Sequence, residues 1–174
     1  MVENELCRAL RGLIGEAVKD LLLPTESKEL REPKVVNNYL PPKRAGKSDD
    51  FPFVLVRAEN GSSNQDITSV TVVVVVGAYC PNGVDSAREG HEHCLNVMER
   101  IRLKLMSLPG LILDERYQLR GDVTWSLPAE QPFPYYQLDP KSRSKPSRYS
   151  SENDVLIEKS VKYTDFFLLS IVYV

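Results

Sequence analysis

The sequence predicts a single α+β domain over residues 1–174: a mainly antiparallel sheet with two helices packed on one face and long mobile loops. Three observations predict it. Apolar residues recur at three- and four-residue spacing from Leu6 to Leu22 and again from Ala87 to Leu105, which marks one buried face on each of two helices. The stretch Val70–Tyr79 is rich in Val with no polar residue after Thr71, the pattern of a strand buried on both faces at a sheet centre. Turn-forming residues punctuate the chain between these segments. A length of 174 residues fits one domain, and 42% hydrophobic residues are enough to bury a core.

The first helix is predicted over residues 1–24. Leu6, Leu10, Leu13, Ile14, Ala17, Val18, Leu21 and Leu22 form its apolar face, Glu3 and Glu5 lie near its start and Lys19 near its end. Pro24 stops it. Gly12 and Gly15 each cost about 1 kcal/mol relative to Ala, so the helix depends on packing, or either glycine admits a close neighbour. Residues 25–50 lack periodicity and read as an extended loop, with Lys34–Leu40 a short strand or a turn of helix.

Phe51–Ala58 reads as a strand with Pro52 at its first residues, where a missing donor is tolerated. Asn60-Gly61-Ser62-Ser63-Asn64 reads as the turn of an antiparallel hairpin whose second strand is Ile67–Tyr79. Pro81-Asn82-Gly83 breaks that strand. Ser86 and Glu89 then have capping-box spacing, and a helix runs to about Ser107 before Pro109-Gly110.

Leu111–Leu113 and Tyr117–Leu119 together suggest a strand, and Val123–Leu127 another. Pro132–Tyr136 reads as an edge strand at best, because its prolines remove ladder donors. Residues 139–153 are polar and carry Lys141, Arg143, Lys145 and Arg148, so a mobile basic loop is expected there. The segment from Lys159 to Val174 is strand-like, and no charged residue follows Asp165.

Composition excludes several function classes. With 22 Lys+Arg against 24 Asp+Glu the formal charge is −2, which gives no whole-chain attraction to nucleic acid, so no specific nucleic-acid binding is expected. No apolar run approaches the roughly 20 residues of a membrane span, so no membrane partner is expected. The acidic start, Met1-Val2-Glu3-Asn4-Glu5, lacks the basic opening of a signal peptide, and the expectation is an unprocessed intracellular chain. Cys7, Cys80 and Cys94 are an odd number without paired spacing, which fits reduced thiols.

His91-Glu92-His93-Cys94, with Cys80, is the one constellation that invites metal or thiol chemistry. On a helix, His91 and Cys94 share a face and His93 points away. Too few ligands remain for a zinc tetrahedron, and neither histidine sits in a nucleophile motif. No Gly-rich phosphate loop is present. The paired carboxylates Asp49-Asp50 and Asp114-Glu115 sit at turns, where charge ordinarily serves solvation. No metal, no cofactor and no enzymatic activity are expected. Trp125 is expected in the core, with interface anchoring the other use of a large aromatic.

The order of elements over residues 35–137 resembles the tail terminator, or tail completion, proteins of long-tailed phages and prophages. The residues that carry the resemblance are Phe53-Val54-Leu55-Val56-Arg57 with its polar turn, Val70–Tyr79, and the helix Ser86–Leu105 followed by Pro109-Gly110-Leu111. Tyr117-Gln118-Leu119, Val123-Thr124-Trp125 and Glu130–Tyr136 continue it. The C-terminal part, a long basic loop and a last strand reaching Val174, departs from the pattern.

The resemblance implies a structural virion protein without catalysis. It would form a ring, a hexamer on the tail, at the head-proximal end of the tail tube, end tube polymerisation and offer a surface to the head completion protein. Its partners would be copies of itself, the tail tube protein and the head completion protein. Its place would be the host cytoplasm during assembly and then the virion tail. Lys43, Arg44 and Lys47 in one polar loop and Lys141, Arg143, Lys145 and Arg148 in the other are the candidate assembly contacts. The C-terminal strand has an edge that few charges guard, which invites pairing either with its own sheet or with a neighbouring subunit. Alternative readings are a neck or head–tail joining protein, a small cytosolic enzyme using His91, Cys94 and Cys80, and a ligand-binding α+β domain.

Overall fold

The computed structural model describes residues 2–40, 50–65, 67–80, 86–120, 123, 135–137 and 167–173. Candidate contacts Lys43, Arg44, Lys47, Lys141, Arg143, Lys145 and Arg148, and Trp125, lie outside the described residues.

Helix α1 spans Val2–Val18. It ends earlier than the predicted residue 24, so Lys19 falls beyond its last turn and Leu21 and Leu22 beyond the helix. The stop is local: Asp20 takes a left-handed backbone at φ 68°, and its N–H donates to Glu32 Oε1 at 3.1 Å. Of residues 25–50, predicted as an extended loop, residues 25–40 hold more order than their composition signals. Strands β1 (Leu23–Pro24) and β2 (Leu30–Arg31) form a small antiparallel pair closed over buried Thr25, whose hydroxyl donates to the Glu29 carbonyl at 3.0 Å. Arg31 Nη2 then donates to the Phe51 carbonyl at 2.7 Å, tying this unit to the sheet.

Strand β3 (Lys34–Asn37) pairs in parallel with β4 (Phe53–Ser63), and β4 pairs antiparallel with β5 (Thr68–Tyr79). The predicted hairpin is therefore present, but its turn is displaced. Gly61, Ser62 and Ser63 remain in the ladder, opposite Val70, Ser69 and Thr68. Ser62 and Ser69 hydroxyls meet at 2.7 Å, and Ser63 and Thr68 hydroxyls at 2.8 Å. Such cross-strand hydroxyl pairs hold a polar strand that composition alone marks as a turn. A register shift between Ala58 and Asn60 bulges β4 at Glu59. The reversal falls at Asn64, whose Oδ1 accepts the Ile67 N–H at 2.7 Å.

Helix α2 (Ser86–Met106) follows, then a 3-10 turn and the short strands β6 (Ile112–Leu113) and β7 (Tyr117–Leu119). Strand β8 (Tyr135–Gln137) pairs with Gly77–Tyr79, and β9 (Phe167–Tyr173) with Thr68–Val74. The main path runs β3-β4-β5-β9-β7-β6, with β8 also on β5. The C-terminal strand pairs with its own sheet: β9 lies between β5 and β7, antiparallel to both. Of the edge strand predicted over Pro132–Tyr136, Tyr135 and Tyr136 fall in β8, which among the described residues pairs with β5 alone. Of Val123–Leu127 only Val123 is among the described residues, and it carries no strand.

The fold is α+β, with both helices on one face of a mainly antiparallel sheet. Alternation along β4 and β5 sorts the core. Val54, Val56, Val72, Val74 and Val76 face α1 and α2, meeting Leu6, Leu10 and Ile14 from one helix and Cys94, Val97 and Ile101 from the other. Phe51, Phe53, Leu55, Val73 and Val75 form a second buried cluster on the opposite face. This is why the Val run carries no polar side: both faces of β5 are buried. Among the described residues no helix is long and apolar enough to cross a membrane.

Candidate functional site

The His/Cys segment lies on the first half of α2, beside the end of β5. Cys94 is fully buried and packs in the helix-side core, so its role is that of a small apolar residue. Cys80, also buried, donates its thiol to Glu89 Oε2 at 3.5 Å. His93 was expected to point away from any cluster. It is half-buried, four residues after Glu89 on the helix. Burial holds its imidazole pKa below the ordinary 6.5, and the charges of Glu89 and Glu92 oppose that shift only in part.

A carboxylate beside Cys80 is the reverse of the electropositive setting of reactive thiolates. Among the described residues no group of three or more His, Cys, Asp or Glu is placed to hold a metal ion. The Cys80–Glu89 contact joins the end of β5 to the first turn of α2.

The sheet's two outer edges offer more. At one end is β3, and among the described residues nothing pairs with its outer side. Lys34 N–H donates to the Pro52 carbonyl and Asn38 N–H to the Val56 carbonyl, so the two-residue alternation directs the Val35 and Asn37 N–H groups outward. A groove of about 490 Å³ runs between this strand and α1, lined by Arg8, Arg11, Gly12, Gly15, Glu32 and Val35 among others. Among the described residues, a Cβ added at Gly12 or Gly15 would meet nothing within 4 Å, so neither glycine serves a close neighbour there.

At the other end is β6, joined to β7 by Asp114, Glu115 and Arg116, with Asp114 and Glu115 the central residues of the turn. Asp114 and Glu115 have left-handed backbones, at φ 54° and 57°, and the Arg116 N–H donates to the Leu113 carbonyl at 3.2 Å. That is a tight turn of the primed type, which ordinarily takes Asn-Gly. Arg116 bonds Asp114 at 2.8 Å and approaches Glu5 of α1 at 3.4 Å. Ile112, Asp114 and Glu115 line a hollow of about 630 Å³ beside this edge.

Neither edge was singled out from sequence as a contact surface. Arg8 and Arg11 fall on the polar side of a helix, and Asp114-Glu115 reads as ordinary turn solvation. The visible signal was an acidic pair where glycine or asparagine belongs. Comparison with the models of known protein families and with curated proteins gives no match to this chain.

Proposed function

We propose that the chain is a structural protein of phage assembly, a tail terminator that caps the head-proximal end of the tail tube and presents a joining surface to the head completion protein. The observation that carries this reading is the order and layering of the elements. The hairpin Phe53–Ser63/Thr68–Tyr79, the helix Ser86–Met106 and the short strands after it occupy the segments on which the resemblance rests. Among the described residues nothing pairs with the outer sides of β3 and β6, and this supports a role in assembly, because such edges are templates for pairing with another chain.

The experiment is direct. Purified protein is added to tail tubes that lack a terminator, and the tube ends are examined by electron microscopy. The reading expects density at one end and an end to tube growth. Deleting residues 140–150 should abolish capping while the melting temperature stays nearly unchanged. Intact protein that never binds tubes overturns the reading, and normal capping by the deletion variant removes the basic loop from it.

A further inference from the structure

We propose that the groove between α1 and β3 is a docking site for an acidic segment of a partner protein, one in which carboxylate and apolar side chains alternate. Arg8, Arg11, Gly12 and Gly15 recur at i, i+3, i+4 and i+7, so they share one face of α1, and that face lines the groove. Among the described residues neither guanidinium has a hydrogen-bond or ion-pair partner. Glu5 and Glu16 of the same helix engage Arg116 and Lys104 instead. Glu32, the carboxylate of the groove, already accepts the Asp20 N–H.

Folding alone does not favour such a face. Like charges three residues apart on a helix repel, and a mid-helix glycine weakens the helix relative to alanine. An occupant supplies what the fold does not. Carboxylates set against the guanidiniums relieve the repulsion with charge-assisted hydrogen bonds, and glycine lets a foreign backbone come close.

The two walls define the chemistry of that occupant. The α1 wall is cationic at Arg8 and Arg11, whereas the wall at β3 is apolar at Pro33 and Val35. An extended chain sends successive side chains to opposite sides, so alternating acidic and apolar residues meet both walls at once. From Arg8 to Gly15 the helix rises about 10 Å, the reach of about three extended residues. Arg8, Arg11 and Gly12 are exposed, so the groove is open to solvent along this length, which suits a peptide rather than an enclosed small molecule. The contact needs no free sheet edge. It is independent of the tail reading, and its test uses no tail tubes, so either can fail alone.

The test is fluorescence anisotropy of a short fluorescein-labelled peptide of alternating glutamate and valine, titrated with the full chain at low and high salt. Wild-type protein is expected to bind it, more weakly as salt rises. A matching peptide of alternating lysine and valine should not bind. Arg8→Glu with Arg11→Glu should weaken binding by about tenfold or more. Gly12→Ala with Gly15→Ala is the decisive arm. The added methyl groups meet nothing within 4 Å among the described residues, so the melting temperature should rise while binding weakens. A merely structural helix face would give the rise alone. Circular dichroism confirms that each variant is folded.

A wild-type chain that does not bind the acidic peptide overturns the proposal, as does binding that neither pair of substitutions weakens. Displacement of the peptide by an equal concentration of inorganic phosphate would make this a small-anion site and overturns the peptide assignment. Glu152→Gln with Asp154→Asn removes two carboxylates from a stretch of this chain with the same chemistry, Glu152-Asn153-Asp154-Val155. Peptide affinity should be unchanged by that pair. A gain of about tenfold would make this stretch the occupant and overturn the assignment to a partner.

Discussion

Phe53 lies directly across the β4–β5 ladder from Gly77, and its ring fills the space that a Cβ at Gly77 would need. The Phe51 ring completes the cover, with its Cε1 2.9 Å from that Cβ position and its centroid 5.0 Å from that of Phe53 in an edge-to-face pair. Gly77 is therefore required by packing, in a strand whose other positions favour Val.

Gly77→Val should destabilise the fold by about 1–3 kcal/mol through overpacking. Urea denaturation measures the loss. Adding Phe53→Leu to Gly77→Val should recover part of it, because the clash is with that ring, and a double-mutant cycle reads the coupling. Additive losses would show that the ring moves away freely.

Val74→Asp places a carboxylate at a position with no solvent exposure, in the layer between the sheet and both helices. The expected cost is several kcal/mol, about what an unpaired buried charge costs. An unchanged melting temperature would contradict the central placement of β5.

Asp114→Asn with Glu115→Gly should stabilise the isolated chain by about 1–2 kcal/mol, because both positions hold left-handed backbones. Loss of the exposed Asp114–Arg116 pair offsets little of that gain. Thermal melting of the wild type and the double variant measures the gain.

His93 gives a pH dependence with a definite sign. Above pH 6.5 the imidazole is mainly neutral in both folded and unfolded chains. As pH falls below 6.5 the unfolded chain takes up its proton first, because burial lowers the folded pKa. Stability therefore falls on acidification through that window. Melting temperatures between about pH 7.5 and about pH 5.5 should decline less steeply for His93→Gln than for wild type.

Much of the fold is legible in local pattern. Val70–Tyr79 and the Ala87–Leu105 periodicity announce a central strand and a packed helix, because burial on both faces or on one leaves a direct mark on residue choice. Three features leave no such mark. Parallel pairing of Lys34–Asn37 with Phe53–Val56 depends on a chain reversal that no short motif encodes. Ser62 and Ser63 stay in the ladder through hydroxyl pairs with Ser69 and Thr68, so tertiary pairing overrides turn propensity. The apolar stretch Phe167–Tyr173 reads as a strand but not as an interior one, since two-sided pairing and edge pairing take similar residues. The groove at Arg8 and Arg11 was invisible for another reason: it is made by the distance between α1 and β3, which one helix face does not reveal.

The place of Phe167–Tyr173 between β5 and β7 governs how the domain is made on the ribosome. Residues 68–74 emerge early, and their far edge waits for a ladder partner until residue 167 has been synthesised. Among the described residues, strands β6 and β7, made in between, reach the sheet through that late partner alone. The nascent chain thus carries an open apolar edge through much of its synthesis, a state that invites chaperone capture or aggregation. Closure over so long a separation also slows folding. Fragments that end before residue 167 keep this edge bare, and are expected to collect in inclusion bodies while the full chain does not.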